Sequence, residues 1–473
     1  MDLLHTEFKR KFSFSSRREL TLPLFKMTFT HDFVNEKKGD VYPVLEKSEG
    51  AAERVEENRY TVESGSVTRL AGQFFPYATN EMTVSPRDGA AGFRFLLPEA
   101  SASVTLTKNE VRYTCGDKTE TLPLPTARET RTMLVACRPG AFDVYFRENG
   151  KAELFHTFAE EAFAHANAYA AIAAGKVAVT VEEGAALSQV LSYMDNGNAI
   201  ADMRPIRYEN GEIMMESGKV YFTASVRLQE EQYQGIFSWV PGTAELALTG
   251  ALFFDCGDGK WCNDVASSVL YHREAKKWLL WVCSFSHGHI LAHGTAEGEL
   301  RFGVNVIDVT VMEEAPKGTP TSEFLGFFLD EDPDFIYDEK SKRWLLSVCR
   351  ADAVTKKYRY HFFESYDPFT GYRYIGQGFP GEETGGSFVR VEGELYFLCG
   401  NSYSARSDYR IYHKDGMSVA KFDYPDGGFR GWGTLMPVKQ ASRTRYYWLT
   451  FDRARSSDTY EWSYGNLYCF EAM

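Results

Sequence analysis

Two rhythms of apolar and polar residues run along this chain. Over the first 185 residues, short runs alternate apolar and polar side chains, and Gly, Pro, Asn or Lys-rich turns separate them. Examples are GFRFLL at 92–97, SVTLT at 103–107, VRYTC at 111–115, TMLVAC at 132–137 and FDVYF at 142–146. A period of two places every second side chain on one face, so each run reads as a half-buried strand. Runs this short and this closely spaced predict an antiparallel β-sandwich over residues 1–185. One segment breaks the rhythm: the Ala-rich AEEAFAHANAYAAIAAG at 159–175 has helical character and stops at Gly175.

From residue 186 the alternation organises into a weak repeat. A turn, a basic or polar residue, an aromatic and then an apolar strand recur as SGKVYFTAS, AKKWLLWVCS, SKRWLLSVCR, EGELYFLCG and SRTRYYWLTF. The aligned aromatics are Tyr221, Trp278, Trp344, Tyr396 and Tyr447, separated by 57, 66, 52 and 51 residues. An all-β repeat of about fifty residues matches one four-stranded propeller blade. Residues 186–473 therefore predict a five-bladed β-propeller, closed by pairing NLYCFEA at 466–472 with a strand just before Asp202. The fold class expected for the whole chain is all-β.

Each repeat carries a further strand before its aromatic, and these inner strands converge on a propeller's axis. Asp264, Asp332 and Glu383 stand 14, 12 and 13 residues before the aromatics of three consecutive repeats. A near-constant offset predicts that the three carboxyl groups meet at one end of the axis. Cleaving a glycosidic bond takes two carboxyl groups, one protonated for the leaving oxygen and one ionised as nucleophile or base. A third carboxylate nearby keeps the acid protonated by charge repulsion. Asp202 begins the inner strand of the first repeat and is the alternative base.

The same segments resemble a group of known enzymes. WCNDVASSVLY at 261–271 resembles the segment around the Asn-Asp nucleophile of invertases and levanases. EDPDFIYD at 331–338 is similar to their Asp-Pro segment and to that of arabinanases and β-xylosidases. GEETGGSFVRVEGELYFL at 381–398 is similar to the segment of their general-acid Glu. The resemblance implies Asp264 as nucleophile or base, Asp332 as the orienting residue and Glu383 as the acid. It implies a glycoside hydrolase, exo-acting on a furanoside (fructosyl or arabinosyl) or a xyloside. Val265-Ala266 replaces the Pro-Asn of invertases, and Thr384-Gly385 follows the Glu, so a distinct, related family is implied. FDVYFRENGKAELF at 142–155 likewise resembles a hairpin of laminin-G or concanavalin-like sandwiches, which implies a lectin-like N-terminal domain.

Composition narrows the partners. Net charge is −13 and no basic run appears, which argues against nucleic acid. No stretch is long or apolar enough to span a bilayer, and MDLLHTEFKRKFSF lacks a secretory h-region, so a cytoplasmic protein with a small, already imported oligosaccharide substrate is expected. Aromatics at 15% suit strands and sugar stacking equally. Trp261 and Trp432 are candidate stacking residues, and Asn263 lies beside Asp264. His287 and His289 read as sugar contacts or structural residues, with a metal site as the weaker alternative because no Cys lies beside them at a diagnostic spacing. Arg350 could clamp a substrate hydroxyl or form a structural ion pair. No cofactor is expected; a structural calcium at the acidic DEDPD stays open as an alternative, unsupported because the EF-hand spacing and its terminal Glu are missing. The eight cysteines read as reduced thiols. Two rival functions remain: a glycoside phosphorylase using Arg204, Arg207 and Arg350 for phosphate, and a non-catalytic carbohydrate-binding protein.

Overall fold

The structure is a computed structural model. It describes residues 1–15, 21–25, 43–56, 59–195, 199–227, 232–312, 330–351, 357–378, 383–401, 409–420, 422, 429–440, 443–453 and 466–472. No helix among them is long and apolar enough to cross a membrane. The chain forms two compact units, Met1–Leu20 with Asn196–Asp258 and Cys262–Met473, and Thr21–Asp195 with Gly259–Trp261.

The first unit is a five-bladed β-propeller. Its inner strands are Ala199–Pro205, Asp264–His272, Asp330–Asp338, Glu383–Val391 and Phe429–Gln440. Each pairs antiparallel with the aromatic-bearing strand predicted from the repeat. The inner strands pack consecutively, and the fifth returns to the first, which closes the ring. Apolar clusters lie between successive blades rather than inside any one. Ile206 and Tyr221 meet Val269 and Trp278; Leu270 and Trp281 meet Phe335 and Trp344. Tyr360 meets Phe388 and Phe397, and Val389 and Tyr396 meet Leu435 and Trp448. The sheets of blades 2, 3 and 4 thus bury both faces against their neighbours, which explains why their second strands read as nearly continuous apolar runs.

The closing strand differs from expectation. Asn466–Ala472 pairs with Arg443–Arg453 on one side and with Phe8–Ser15 on the other. The N-terminal strand is therefore the outer strand of the fifth blade, and residues 1–20 belong to the propeller rather than to the preceding domain. Sequence order hid this, because FKRKFSFS alternates like its neighbours in the first 185 residues and only long-range pairing tells them apart. Blade 1 also gains a parallel edge strand, Gly303–Asp308, against Leu246–Asp255.

The second unit has two antiparallel sheets that share one core. One runs in the order 118–123, 110–115, 101–106, 91–96, 176–182, 66–73, 44–47; the other runs 151–159, 141–148, 131–138, 79–85, 186–195, 59–64, 52–56. Phe93, Val104 and Val179 of the first pack with Met82, Met133, Phe142 and Val190 of the second. The hairpin Ala141–Glu148 to Lys151–Ala159 turns at Asn149-Gly150, whose φ values of 51° and 79° are those of a two-residue primed turn. The Ala-rich segment is less helical than its composition predicts. A 3-10 turn at Glu161–Phe163 and a six-residue helix, Tyr169–Ala174, replace the long helix, and the Gly175 N–H ends it on the Ala171 carbonyl at 2.7 Å. The final strand of the unit, Ala186–Asp195, carries it ten residues past the expected boundary.

Candidate functional site

Every inner strand is interrupted near its start by a β-bulge. Register shifts fall between Ala201 and Arg204, Val265 and Ser268, Glu331 and Asp334, Thr384 and Ser387, and Arg430 and Gly433. Asp202, Ala266, Asp332 and Gly385 occupy the same bulge position, with φ of 54°, 55°, 47° and 62°. Left-handed φ at non-glycine residues costs free energy and is retained mainly where surrounding structure or function demands it.

The bulges correct the offset argument. Asp264 faces Ser284, Asp330 faces Arg350 and Glu383 faces Asn401, so these three carboxyl residues share one register position. Asp332 lies two residues further on, in register with Asp202. The 12-residue offset of Asp332 was the sign, since Asp330 precedes Trp344 by the same 14 residues that separate Asp264 from Trp278.

The carboxyl groups of blades 2, 3 and 4 gather at one end. Asp264, Asp330, Glu331 and Asp332 all lie close enough to buried Cys283 to raise its pKa, after burial itself. Asp332, Glu331 and Glu383 do the same to Cys349. Within the cluster the partners differ. One oxygen of Asp264 accepts hydrogen bonds from the Ser284 and Ser286 hydroxyls at 2.8 and 2.9 Å, and the other faces the Cys256 thiol at 3.4 Å. Burial raises the pKa of Asp264, and the two serines oppose the rise. Asp330 forms a bidentate ion pair with Arg350, both contacts 2.6 Å and both residues buried. Asp332 accepts from the Thr384 hydroxyl at 2.8 Å and the Gly385 N–H at 2.9 Å, so it holds the two residues that follow Glu383. Glu383 is fully buried, paired with Arg410 at 3.0 Å, bonded by the Tyr412 hydroxyl and the Tyr360 N–H, and covered by Gly378, where any Cβ would strike its carboxylate.

The remaining candidates divide. Asp202 is buried on its bulge. The Asn263 side-chain Oδ1 accepts from the Gln232 backbone N–H at 2.8 Å. His287 reaches Ser284 at 2.6 Å through Nδ1 and lies 3.6 Å from Asp258 through Nε2. His289 sits in left-handed backbone 3.4 Å from Glu331 and edge-on to Phe285. Trp261 groups with the two-sheet unit, is 2% exposed and stands edge-on to Tyr77 at 5.1 Å. Its apolar bulk and the clamp on its backbone by Asn167 at 2.8 Å make it a packing residue there. Trp432 lies on the fifth inner strand with its side chain outside the described residues. Arg350 takes the ion-pair alternative.

Sequence reading missed Cys256, Ser284, Ser286, Arg410 and Tyr412. Only Ser284 left a usable sign, since it stands six residues after Trp278 as Arg350 does after Trp344.

No family model matches the chain, and no curated protein matches it. Among solved structures, the chain is similar to Bacillus subtilis levansucrase, at 11% identity and a TM-score of 0.40, over 56% of this chain and 82% of that one. A GH43 β-1,3-galactosidase is similar at 10% identity and a TM-score of 0.38, over 56% and 93%. The carbohydrate-binding module CBM66 of Bacillus subtilis is similar at 10% identity and a TM-score of 0.24, over 33% and 94%.

Proposed function

We propose that the chain is a glycoside hydrolase acting on a short oligosaccharide at the carboxylate-lined end of the propeller. The observation that carries this reading is that Asp264 and Glu383 hold the same register position on inner strands of blades 2 and 4, both packed against the blade 3 inner strand whose bulge carries Asp332. Asp264 serves as nucleophile or base. Two hydroxyls fix one of its oxygens, and among the described residues no Lys or Arg pairs with it, so its charge remains available to an oxocarbenium-like centre. Glu383 serves as the acid, and its carboxyl must turn from Arg410 to meet a leaving oxygen. Asp332 positions it by anchoring Thr384 and Gly385. Asp202, on the bulge equivalent to that of Asp332, is the alternative base.

The finer reading is exo-cleavage of a fructosyl, arabinosyl or xylosyl unit, supported by the segments around Asp264, Asp332 and Glu383. A phosphorylase is less well supported, because Arg350 and Arg207 are committed to Asp330 and Asp334. A panel of nitrophenyl furanosides and pyranosides and short oligosaccharides, with and without phosphate, tests the proposal. Phosphate-independent release of a monosaccharide, lost in Asp264→Asn and in Glu383→Gln, is expected. Retention of activity in Glu383→Gln and its loss in Glu331→Gln would move the acid to Glu331. Sugar binding without cleavage of anything on the panel would favour a carbohydrate-binding protein.

A further inference from the structure

We propose that Cys256, Asp264 and His287 form a binding site for a thiophilic divalent metal ion of the Zn2+ type, and that metal and glycoside compete for Asp264. The second half rests on the function proposed above; the first does not. The three residues come from separate segments. Cys256 follows the last antiparallel strand of blade 1, Leu246–Asp255. Asp264 opens the inner strand of blade 2, and His287 lies in the turn between Lys277–Ser284 and Ile290–Ala296. Their ligand atoms nevertheless all lie within 4.8 Å of one another.

One of these separations is already that of a tetrahedral ion. Metal–sulfur and metal–nitrogen bonds of about 2.3 and 2.0 Å set donor atoms roughly 3.3–3.7 Å apart. Cys256 Sγ and the facing Asp264 oxygen already stand at 3.4 Å. All three residues border the Ser284 hydroxyl, which lies 2.6 Å from His287 Nδ1, 3.6 Å from Cys256 Sγ and 2.8 Å from the Asp264 oxygen other than the one facing the thiol, so an ion bound here displaces that hydroxyl from Nδ1. With Nδ1 directed inward, His287 turns Nε2 towards Asp258 at 3.6 Å, the carboxylate support that metal-bound imidazoles ordinarily have. One thiolate, one imidazole and one carboxylate select Zn2+ over Ca2+ or Mg2+, which prefer oxygen alone. Three protein ligands leave a fourth position open.

A metal held here would occupy the Asp264 oxygen that the serines leave unbound. Metal binding and attack on a sugar are therefore mutually exclusive at this carboxylate.

The test uses Co2+ as a spectroscopic stand-in, added to the EDTA-treated, reduced full chain. One equivalent is expected to give thiolate-to-cobalt charge-transfer absorption in the near ultraviolet and tetrahedral bands in the visible. Cys256→Ser should abolish the charge-transfer band, His287→Gln should weaken binding at least tenfold, and Cys262→Ser should leave the band in place. Circular dichroism and thermal unfolding check that each variant is folded. Absence of the band in the wild type, or its survival in folded Cys256→Ser, overturns the site. Zn2+ is expected to inhibit turnover competitively, with inhibition at least tenfold weaker in Cys256→Ser. Cobalt binding with unchanged turnover overturns the competition. The cobalt spectrum requires no turnover, so lack of glycosidase activity would count against the function and not against the metal site.

Discussion

Blades 2 and 3 place an aspartate at the same point of the inner strand and treat it in opposite ways. In blade 3 the residue across the strand pair is Arg350, and Asp330 is locked in a buried bidentate ion pair. In blade 2 the residue across is Ser284, and Asp264 is held by hydroxyls and a thiol. Burial raises the pKa of both, but only Asp330 has a neighbouring guanidinium to oppose it. The first arrangement neutralises a carboxylate and fixes the strand. The second leaves a carboxylate whose charge can act on something else. One cross-strand residue, rather than position in the blade, separates the ion-paired aspartate from the one proposed to act on a substrate.

The largest expected effect is on turnover. Asp264→Asn should lower kcat by about 10³-fold or more, the upper part of the range for a group handling charge or protons at the reacting centre. Steady-state kinetics on the substrate identified by the panel measure it. The same variant should unfold at a higher temperature near neutral pH. A carboxyl whose folded pKa is raised binds protons more tightly in the folded state, so its contribution to stability falls as pH rises above the unfolded value of 3.8. Removing the ionisable group removes that loss, and differential scanning calorimetry at neutral and acid pH would detect the difference.

Next comes the blade 3 pair. Arg350→Met should cost about 3–5 kcal/mol of stability in denaturant titration, because it leaves Asp330 buried without its cation. Replacing both residues, Asp330→Asn with Arg350→Met, should recover most of that loss, since the desolvation cost of both charges disappears together. A double variant as unstable as the single one would mean that the pair contributes through packing rather than charge.

The smallest expected effect sharpens the blade 2 side. The Ser284 hydroxyl opposes the burial-driven rise of the Asp264 pKa. Ser284→Ala should therefore move the acid limb of the pH–rate profile upward while leaving the rate above that limb within about tenfold. An unmoved limb would assign it to another group.

The repeat was legible because Trp278, Trp344 and Tyr447 occupy the same place in their blades, and a buried aromatic after a turn survives as a pattern even when little else does. The carboxylates were legible as a group for the same reason. Their individual roles were not, because each bulge adds a residue to the inner strand, and an offset of 12 or 14 cannot reveal which side of the bulge a residue occupies. The partners were less legible still. Arg410 and Tyr412 come from the third strand of blade 4, and Cys256 comes from the end of blade 1, so only the folded sheets bring them to Glu383 and Asp264.

The most direct test of the account is turnover of one cleaved glycoside by Asp264→Asn beside the Asp330→Asn, Arg350→Met double variant, with both shown to be folded. The account predicts loss of about 10³-fold or more in the first and retention within about tenfold in the second. An active Asp264→Asn, or an inactive but folded double variant, would contradict it.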